Sequence, residues 1–466
     1  MKLFKDYAVL AAGQVAGKVL GFIAFAWLAR MLDPAGYGAV EYVVGLTLAF
    51  GVLVEGGLSV IGVRAGRDPA SLATLALDIP WVRLALAIPC VPALVLLATH
   101  FSRSAVPQEL AWLFALSLLA IPWRQDWLLQ AEERMNEAAF AQLLRAAVFT
   151  AIVLALVRLP QDVARTGIAE LASAIVFTAY CLYVQQTRIT PIRVWGRLTR
   201  PRALLKEGAV VGMSTLVFTL HQHAPLFLSA PLAGAVETAW FAAAARVTVA
   251  LMVFSYLYYY SLYPAVTRYM ARSDDALAHL LAASARVTGW AGVLAGLALT
   301  LVAERIVVLA FGERMAPAAP VLQILAWTLP LNVFSGHARW TLIARGAQSD
   351  VLIAQLAGLA TTVVVSVVLG VLLGARGFAL AAVSGFVAVW IVAHQRARRL
   401  GMRPPSPRIV VKPLAIAACV VAATHAYGVA GWLALAGVVA YVAAAPLIER
   451  SLKADLRTLA TAKADV

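Results

Sequence analysis

Apolar residues occupy fourteen long runs along this chain, separated by short polar stretches. They fall at roughly 7–30, 38–60, 79–99, 108–131, 137–158, 165–186, 207–231, 236–264, 284–303, 318–344, 351–373, 378–395, 411–426 and 430–448. A helix rising ~1.5 Å per residue needs ~20 residues to cross a hydrocarbon core of ~30 Å. The pattern therefore predicts an all-α integral membrane protein with about 14 transmembrane helices. No soluble domain interrupts the runs, and the loops on one side are very short. The start "MKLFKD" has the outline of a signal peptide, and "AFA" at Ala24 to Ala26 imitates a cleavage site. The apolar run between them is too long, however, and it holds Gln14 and Lys18, so it reads as a retained first helix.

Composition agrees. Of the 466 residues, 62% are hydrophobic and 13% charged, and the mean hydropathy is +0.84. Soluble chains are about half apolar and about a quarter charged. The net charge of +15 is then a matter of position, and it does not point to nucleic acid. The basic residues concentrate in two loops, "TRITPIRVWGRLTRPRALLK" (187–206) and "RARRLGMRPPSPRIVVK" (396–412). Cytoplasmic loops carry the excess of Lys and Arg, which puts both loops and both termini in the cytoplasm, with anionic phospholipid headgroups as a secondary contact. Cys90, Cys181 and Cys419 all lie in apolar runs and form no CxxC pair, so neither a disulfide framework nor a metal site is expected.

The basic loops divide the chain into six helices (1–203), six helices (204–408) and a final pair with a short cytoplasmic tail (409–466). The first two parts resemble each other. "DWLLQAEERMNEAAFAQLL" sets Trp127 fifteen residues before Gln142, and "RWTLIARGAQSDVLIAQLA" sets Trp340 fifteen before Gln355. Equal helix counts and this matched offset suggest two pseudo-symmetric lobes, as in transporters built from repeats.

Charges inside the runs are costly, ~3 kcal/mol each at helix centre on insertion scales, and so they mark candidate sites. Lys18 near mid-membrane, Arg145 and Arg246 well in from opposite sides, and Arg124 and Arg339 shallower toward the cytoplasm are the candidates to line a cationic cavity. Arg83 and Glu170 sit near run ends and read as interfacial. Arg124 and Asp126, two apart, should point to opposite sides of a helix and so should not neutralise each other. Gly13, Gly17 and Gly21 form a close-packing stripe, with Gln14 and Lys18 as the polar stripe beside it. Asn332, Ser335 and Arg339 share a face by the same spacing. Glu55, Asp126, His221 and His223 are candidates for ion coupling, the histidines because they titrate near neutral pH. The alternative for each histidine is plain packing. "FSYLYYYSLYP" (254–264) reads as an interfacial aromatic belt, with ring-stacking on sugars as the sharper alternative. Cations outnumber acids, and a cationic cavity suits a phosphate or pyrophosphate group. No GxxxxGK[ST] loop is present for ATP, and no cofactor is expected.

Several stretches resemble polysaccharide transporters, the O-antigen flippase branch of the multidrug/oligosaccharidyl-lipid/polysaccharide (MOP) exporter superfamily. They are "LARMLDPAGYGAVEYVVGLTLAFGVLVEGGLSV", "DWLLQAEERM", "AVETAWFAAAARV" and "FGERMAPAAPVLQILAW". Ala239 stands where that family usually has glycine. The resemblance implies a V of two six-helix lobes plus two C-terminal helices in a bacterial inner membrane. It also implies alternating-access transport of undecaprenyl-pyrophosphate-linked oligosaccharide, with a polymerase and a chain-length regulator as partners. The rival readings are a multidrug cation antiporter, a lipid II flippase, and a membrane polymerase or glycosyltransferase. An enzyme would need catalytic carboxylates in a sizeable outer loop, and the outer loops here are short and nearly free of acids.

Overall fold

The computed structural model describes residues 2–64, 68–101, 106–191, 196, 198–427 and 431–464. Its regular elements are all helical. The chain forms two compact units, one of residues 1–242 with 310–315, the other of 243–309 with 316–466.

The first unit opens with α1 (Lys2–Met31) and α2 (Pro34–Glu55). Asp33 caps α2, its Oδ1 accepting from the Gly36 amide at 2.8 Å, with Pro34 fixing the first turn. Then come α3 (Leu58–Arg64), α4 (Pro69–His100), α5 (Gln108–Ser117), α6 (Asp126–Ala131), α7 (Met135–Leu156), α8 (Arg165–Arg188) and α9 (Pro201–Ala233). Helix α10 (Ala235–Arg272) begins in this unit and continues into the second. There follow α11 (Asp274–Phe311), α12 (Ala318–Leu325), α13 (Thr328–Ala344) and α14 (Gln348–Val365). A π turn (Ser366–Gly370) leads into α15 (Val371–Leu373), and α16 (Ala375–Arg399), α17 (Val411–Tyr427), α18 (Gly431–Ile448) and α19 (Leu452–Ala464) complete the chain.

Among the described residues, eleven helices are long and apolar enough to cross a membrane, or twelve if the α18–α19 pair, bent by 85°, counts as one span. The run at 108–131 is not one of them, which corrects the reading of that stretch as a single helix. Its α-helical part ends at Ser117, residues 118–123 tighten into a 3₁₀ helix containing Pro122, and Arg124 is extended at φ −71°, ψ 99°. Proline lacks the donor for an interior helical bond, and no piece of this run is long enough to span by itself. The C-terminal tail is helical. Helix α19 is fastened by a two-pronged ion pair from Arg286 to Asp455 at 2.6 and 2.7 Å, and by Arg268 donating to the Ala462 carbonyl at 2.9 Å.

A second break lies between α2 and α3, at Gly56 (φ 58°) and Gly57 (φ 71°), a left-handed backbone that favours glycine. The break crosses α9 at contact distance. A Cβ on Gly57 would lie 2.6 Å from the Gly212 amide nitrogen, and one on Gly208 would lie 2.5 Å from the Gly56 carbonyl oxygen. The four glycines thus let two backbones touch. The predicted α1 stripe is used in part. Gly13 faces Ala139 and Gly17 faces Ala146, both on α7, while nothing lies within 4 Å of a Cβ on Gly21. At the departure noted above, Gly38 on α2 leaves the room, since a Cβ there would meet the Ala235 carbonyl and the Ala239 amide.

Candidate functional site

A buried arginine ties the two breaks together. Arg83 on α4 is 1% exposed. It donates to Ser59 Oγ at 2.7 Å, to Glu55 Oε1 at 3.2 Å and to the Arg124 carbonyl at 3.1 Å. The expectation that Arg83 is interfacial is thereby corrected. Distance along its own helix said nothing of the polar groups that α2, α3 and the 118–125 break bring to it. Glu55 serves this junction twice more, accepting from the Gly57 amide at 3.1 Å and the Ser59 amide at 3.0 Å, which caps α3. The Gln125 amide nitrogen donates to the Ala76 carbonyl at 3.2 Å. Below lies an apolar cluster of Leu58, Leu75, Ile79, Trp127 and Leu204.

This junction holds Arg124 at the edge of a cavity of about 430 Å³ in the first unit. The polar lining is Lys18 from α1, Arg124, Gln142 and Arg145 from α7, and Glu170 and Ser173 from α8. The apolar wall includes Phe25 and Phe149, stacked at 5.7 Å, together with Val44 and Phe177. The Arg124 guanidinium carbon lies 4.8 Å from the Phe177 ring centroid, a cation–π contact. Arg124 Nη2 also meets Asp126 Oδ2 at 3.4 Å. That overturns the argument that residues two apart cannot pair, because the argument assumed an unbroken helix and Arg124 sits in the break. Arg145 Nη2 donates to Glu170 Oε1 at 2.6 Å, so Glu170 too is part of the cavity and not a residue of the interface. Lys18 is exposed to the cavity and makes no hydrogen bond or ion pair among the described residues. Three cations thus face this space against the single acid of its lining.

The other candidates lie elsewhere. The Gln14 side chain lies outside the described residues. His221 is buried on α9, and His223 is partly buried with its ring 6.1 Å from that of Phe227. Arg246 is partly buried on α10 and Arg339 partly buried on α13, both in the second unit. Arg339 Nη2 donates to Asn332 Oδ1 at 2.9 Å, and Ser335 Oγ donates to the Asn332 carbonyl at 3.1 Å, so that face of α13 is bonded along itself. The aromatic run splits. Tyr256 and Tyr260 are exposed, whereas Tyr259 is 2% exposed and stacked on Trp340. The Tyr259 hydroxyl bonds the Val333 carbonyl and, at 2.8 Å, His337 Nδ1. On the other side of that ring Ser284 Oγ meets Nε2 at 2.9 Å and Tyr258 at 2.6 Å. Sequence reasoning missed His337, Gln142 as a lining residue, and Ser173. Gln142 and Arg145 stand three apart on α7 and so share a face, a signal that was available.

A family model described as polysaccharide biosynthesis protein matches residues 3–270, more than half of the chain. The chain belongs to that family. No curated protein matches the sequence. Among solved structures it is similar to a lipid II flippase MurJ in an inward closed conformation, with a TM-score of 0.76 and 11% identity over 96% of this chain and 99% of that one. An inward-facing multidrug resistance MATE family transporter aligns with a TM-score of 0.66 and 20% identity over 82% and 94%. A MOP superfamily transporter from Pyrococcus furiosus, titled for the reverse polarity of its binding pocket, aligns with a TM-score of 0.57 and 18% identity over 85% and 96%. The polysaccharide biosynthesis family member described here is therefore a multi-pass membrane protein with the MOP fold.

Proposed function

We propose that this protein is a flippase that carries undecaprenyl-pyrophosphate-linked oligosaccharide units from the cytoplasmic to the outer leaflet of a bacterial inner membrane. The observation that supports this reading best is the convergence of Lys18, Arg124 and Arg145 on one cavity. Its volume of about 430 Å³ falls within the ~300–1,000 Å³ of small-molecule sites. Pulling a pyrophosphate and sugars through hydrocarbon strips their water without replacement. A pocket with guanidinium and ammonium groups replaces part of that water, while the lipid tail stays in the bilayer. No bond is made or broken, so the chain acts as a transporter. The reading extends to two six-segment lobes, 1–203 and 204–408, the first with the broken run at 108–131 as one segment, and to 409–466 appended. It also includes cytoplasmic termini, alternating access, and a polymerase and chain-length regulator downstream. A multidrug cation is disfavoured because three cations meet one acid in the lining.

The test is reconstitution of the full chain in vesicles with labelled undecaprenyl-pyrophosphate oligosaccharide in one arm, lipid II in a second and a cationic dye in a third. Protein-dependent appearance of the first at the opposite leaflet is the expected result. Movement of the dye alone would overturn the proposal, and movement of lipid II alone would replace its substrate.

A further inference from the structure

The cations of the cavity are not equivalent. Arg124 is paired with Asp126, which does not line the cavity, whereas Arg145 is paired with Glu170, which does. Lys18 has no partner among the described residues. The Arg145 side chain is 37% exposed and Glu170 13%, and the pair closes at 2.6 Å, short for a charge-assisted bond. Glu170 is the only acid in the lining, and among the described residues Arg145 is the only group its carboxylate is bonded to. The carboxylate therefore sits where an anionic ligand of Arg145 would sit.

On the basis of the anion-carrying role set out above, we propose that Glu170 is an internal counter-anion. It occupies Arg145 when the cavity is empty and is displaced by the phosphate-bearing headgroup, with Lys18 as the site of first capture. An arginine left bare would bind a diphosphate too tightly to release it. A carboxylate tethered one helix away competes at high effective concentration, lowering affinity and returning the guanidinium to a neutral pair after release. A negative charge close to the arriving phosphates also opposes binding directly. The ion pair thereby sets how readily the ligand leaves, which a purely structural bridge between α7 and α8 would not do.

The full-length protein in nanodiscs would be titrated with undecaprenyl diphosphate, inorganic pyrophosphate and, as the uncharged control, undecaprenol. Glu170→Gln should bind undecaprenyl diphosphate about tenfold tighter and slow its dissociation, while leaving undecaprenol unchanged. The same gain with inorganic pyrophosphate would locate the effect at the phosphates. A gain confined to the lipid would still carry the proposal, with tail contacts required for capture. The double variant Arg145→Gln with Glu170→Gln should lose the gain. Should Glu170→Gln not fold, Glu170→Asp keeps the charge, weakens the pair by one methylene, and should give a smaller tightening. Unchanged or weaker binding by a folded Glu170 variant would reduce the pair to a structural bridge and overturn the proposal. If the wild type binds neither phosphate probe, and Lys18→Gln changes nothing, the anion-carrying reading itself fails and the counter-anion with it.

Discussion

The matched tryptophans put two stretches in register, 118–145 in the first unit and 331–358 in the second. Their chemistry has diverged. Pro122 corresponds to Ser335, Arg124 to His337, Asp126 to Arg339, and Arg145 to Gly358. With a proline in the strategic place, the first stretch breaks, its freed carbonyl at Arg124 is taken by Arg83, and two arginines are left facing a cavity. Without it, α13 runs unbroken, and His337 closes a chain of neutral groups. With Nδ1 as the protonated ring nitrogen, Tyr258 can donate to Ser284, Ser284 to Nε2, Nδ1 to Tyr259, and Tyr259 to the Val333 carbonyl. That order of donors satisfies each group once with an uncharged ring. The first stretch turns its polar residues to a cationic cavity, and the second bonds them to its own neighbours. Two stretches in the same register can thus differ in where their polar side chains go, one set facing a cavity and the other bonded within its own unit.

The comparison breaks first at Arg83. Arg83→Met strands the Arg124 carbonyl, Glu55 and Ser59 in a buried junction, a loss of about 3–5 kcal/mol for a broken buried pair. Little folded protein should reach the membrane. Thermal unfolding and yield of detergent-extracted protein check this, and near-normal stability would mean that the breaks hold themselves. Next come the cavity cations. Lys18→Gln and Arg145→Gln should leave folded protein but slow flipping by about ten- to a hundredfold, the worth of a hydrogen bond to a charged group. Flipping per folded molecule is the readout, and normal rates in both variants would move the substrate elsewhere. In the second unit, Tyr259→Phe removes a hydroxyl from a hydrogen-bonded network. It should cost about 1–2 kcal/mol of stability with flipping per folded molecule unchanged. A loss of flipping at full stability would instead give the second half a part in transport.

The long apolar runs were legible because span length depends on composition alone. Lys18 and Arg145 were legible because a charge in such a run must be solvated or paired. Hydropathy is blind to a backbone break, so 108–131 looked continuous although Pro122 stood in it. The error over Arg124 and Asp126 followed directly from that continuity. Depth along one helix also misplaced Glu170 and Arg83, since partners come from other helices. Arg145 and Glu170 are 25 residues apart, and only the packing of α7 on α8 joins them. The Gly208–Gly212 spacing repeats the spacing of Gly13–Gly17, yet its partner is a turn at Gly56–Gly57, which no periodicity reveals.

The smallest effect belongs to Asp126, and it sharpens the comparison most finely. Its contact with Arg124 is long at 3.4 Å, and the Arg124 side chain is 33% exposed. Partly exposed pairs contribute about 0–1 kcal/mol. Asp126 is also the first residue of α6, where a carboxylate gains a few tenths of a kcal/mol (about 0.3–1) from the helix N-terminus. Asparagine keeps the shape and an acceptor for the free amides. Asp126→Asn should therefore cost about 1 kcal/mol or less and leave yield close to normal. It also removes the negative charge behind Arg124, so affinity for undecaprenyl diphosphate should rise slightly, by less than in Glu170→Gln, whose carboxylate faces the ligand. Equal gains in the two variants would show that distance from the cavity does not matter and that net charge alone sets affinity. A collapse in yield comparable to that of Arg83→Met would make Asp126 part of the buried junction, and Arg124 a structural residue with it.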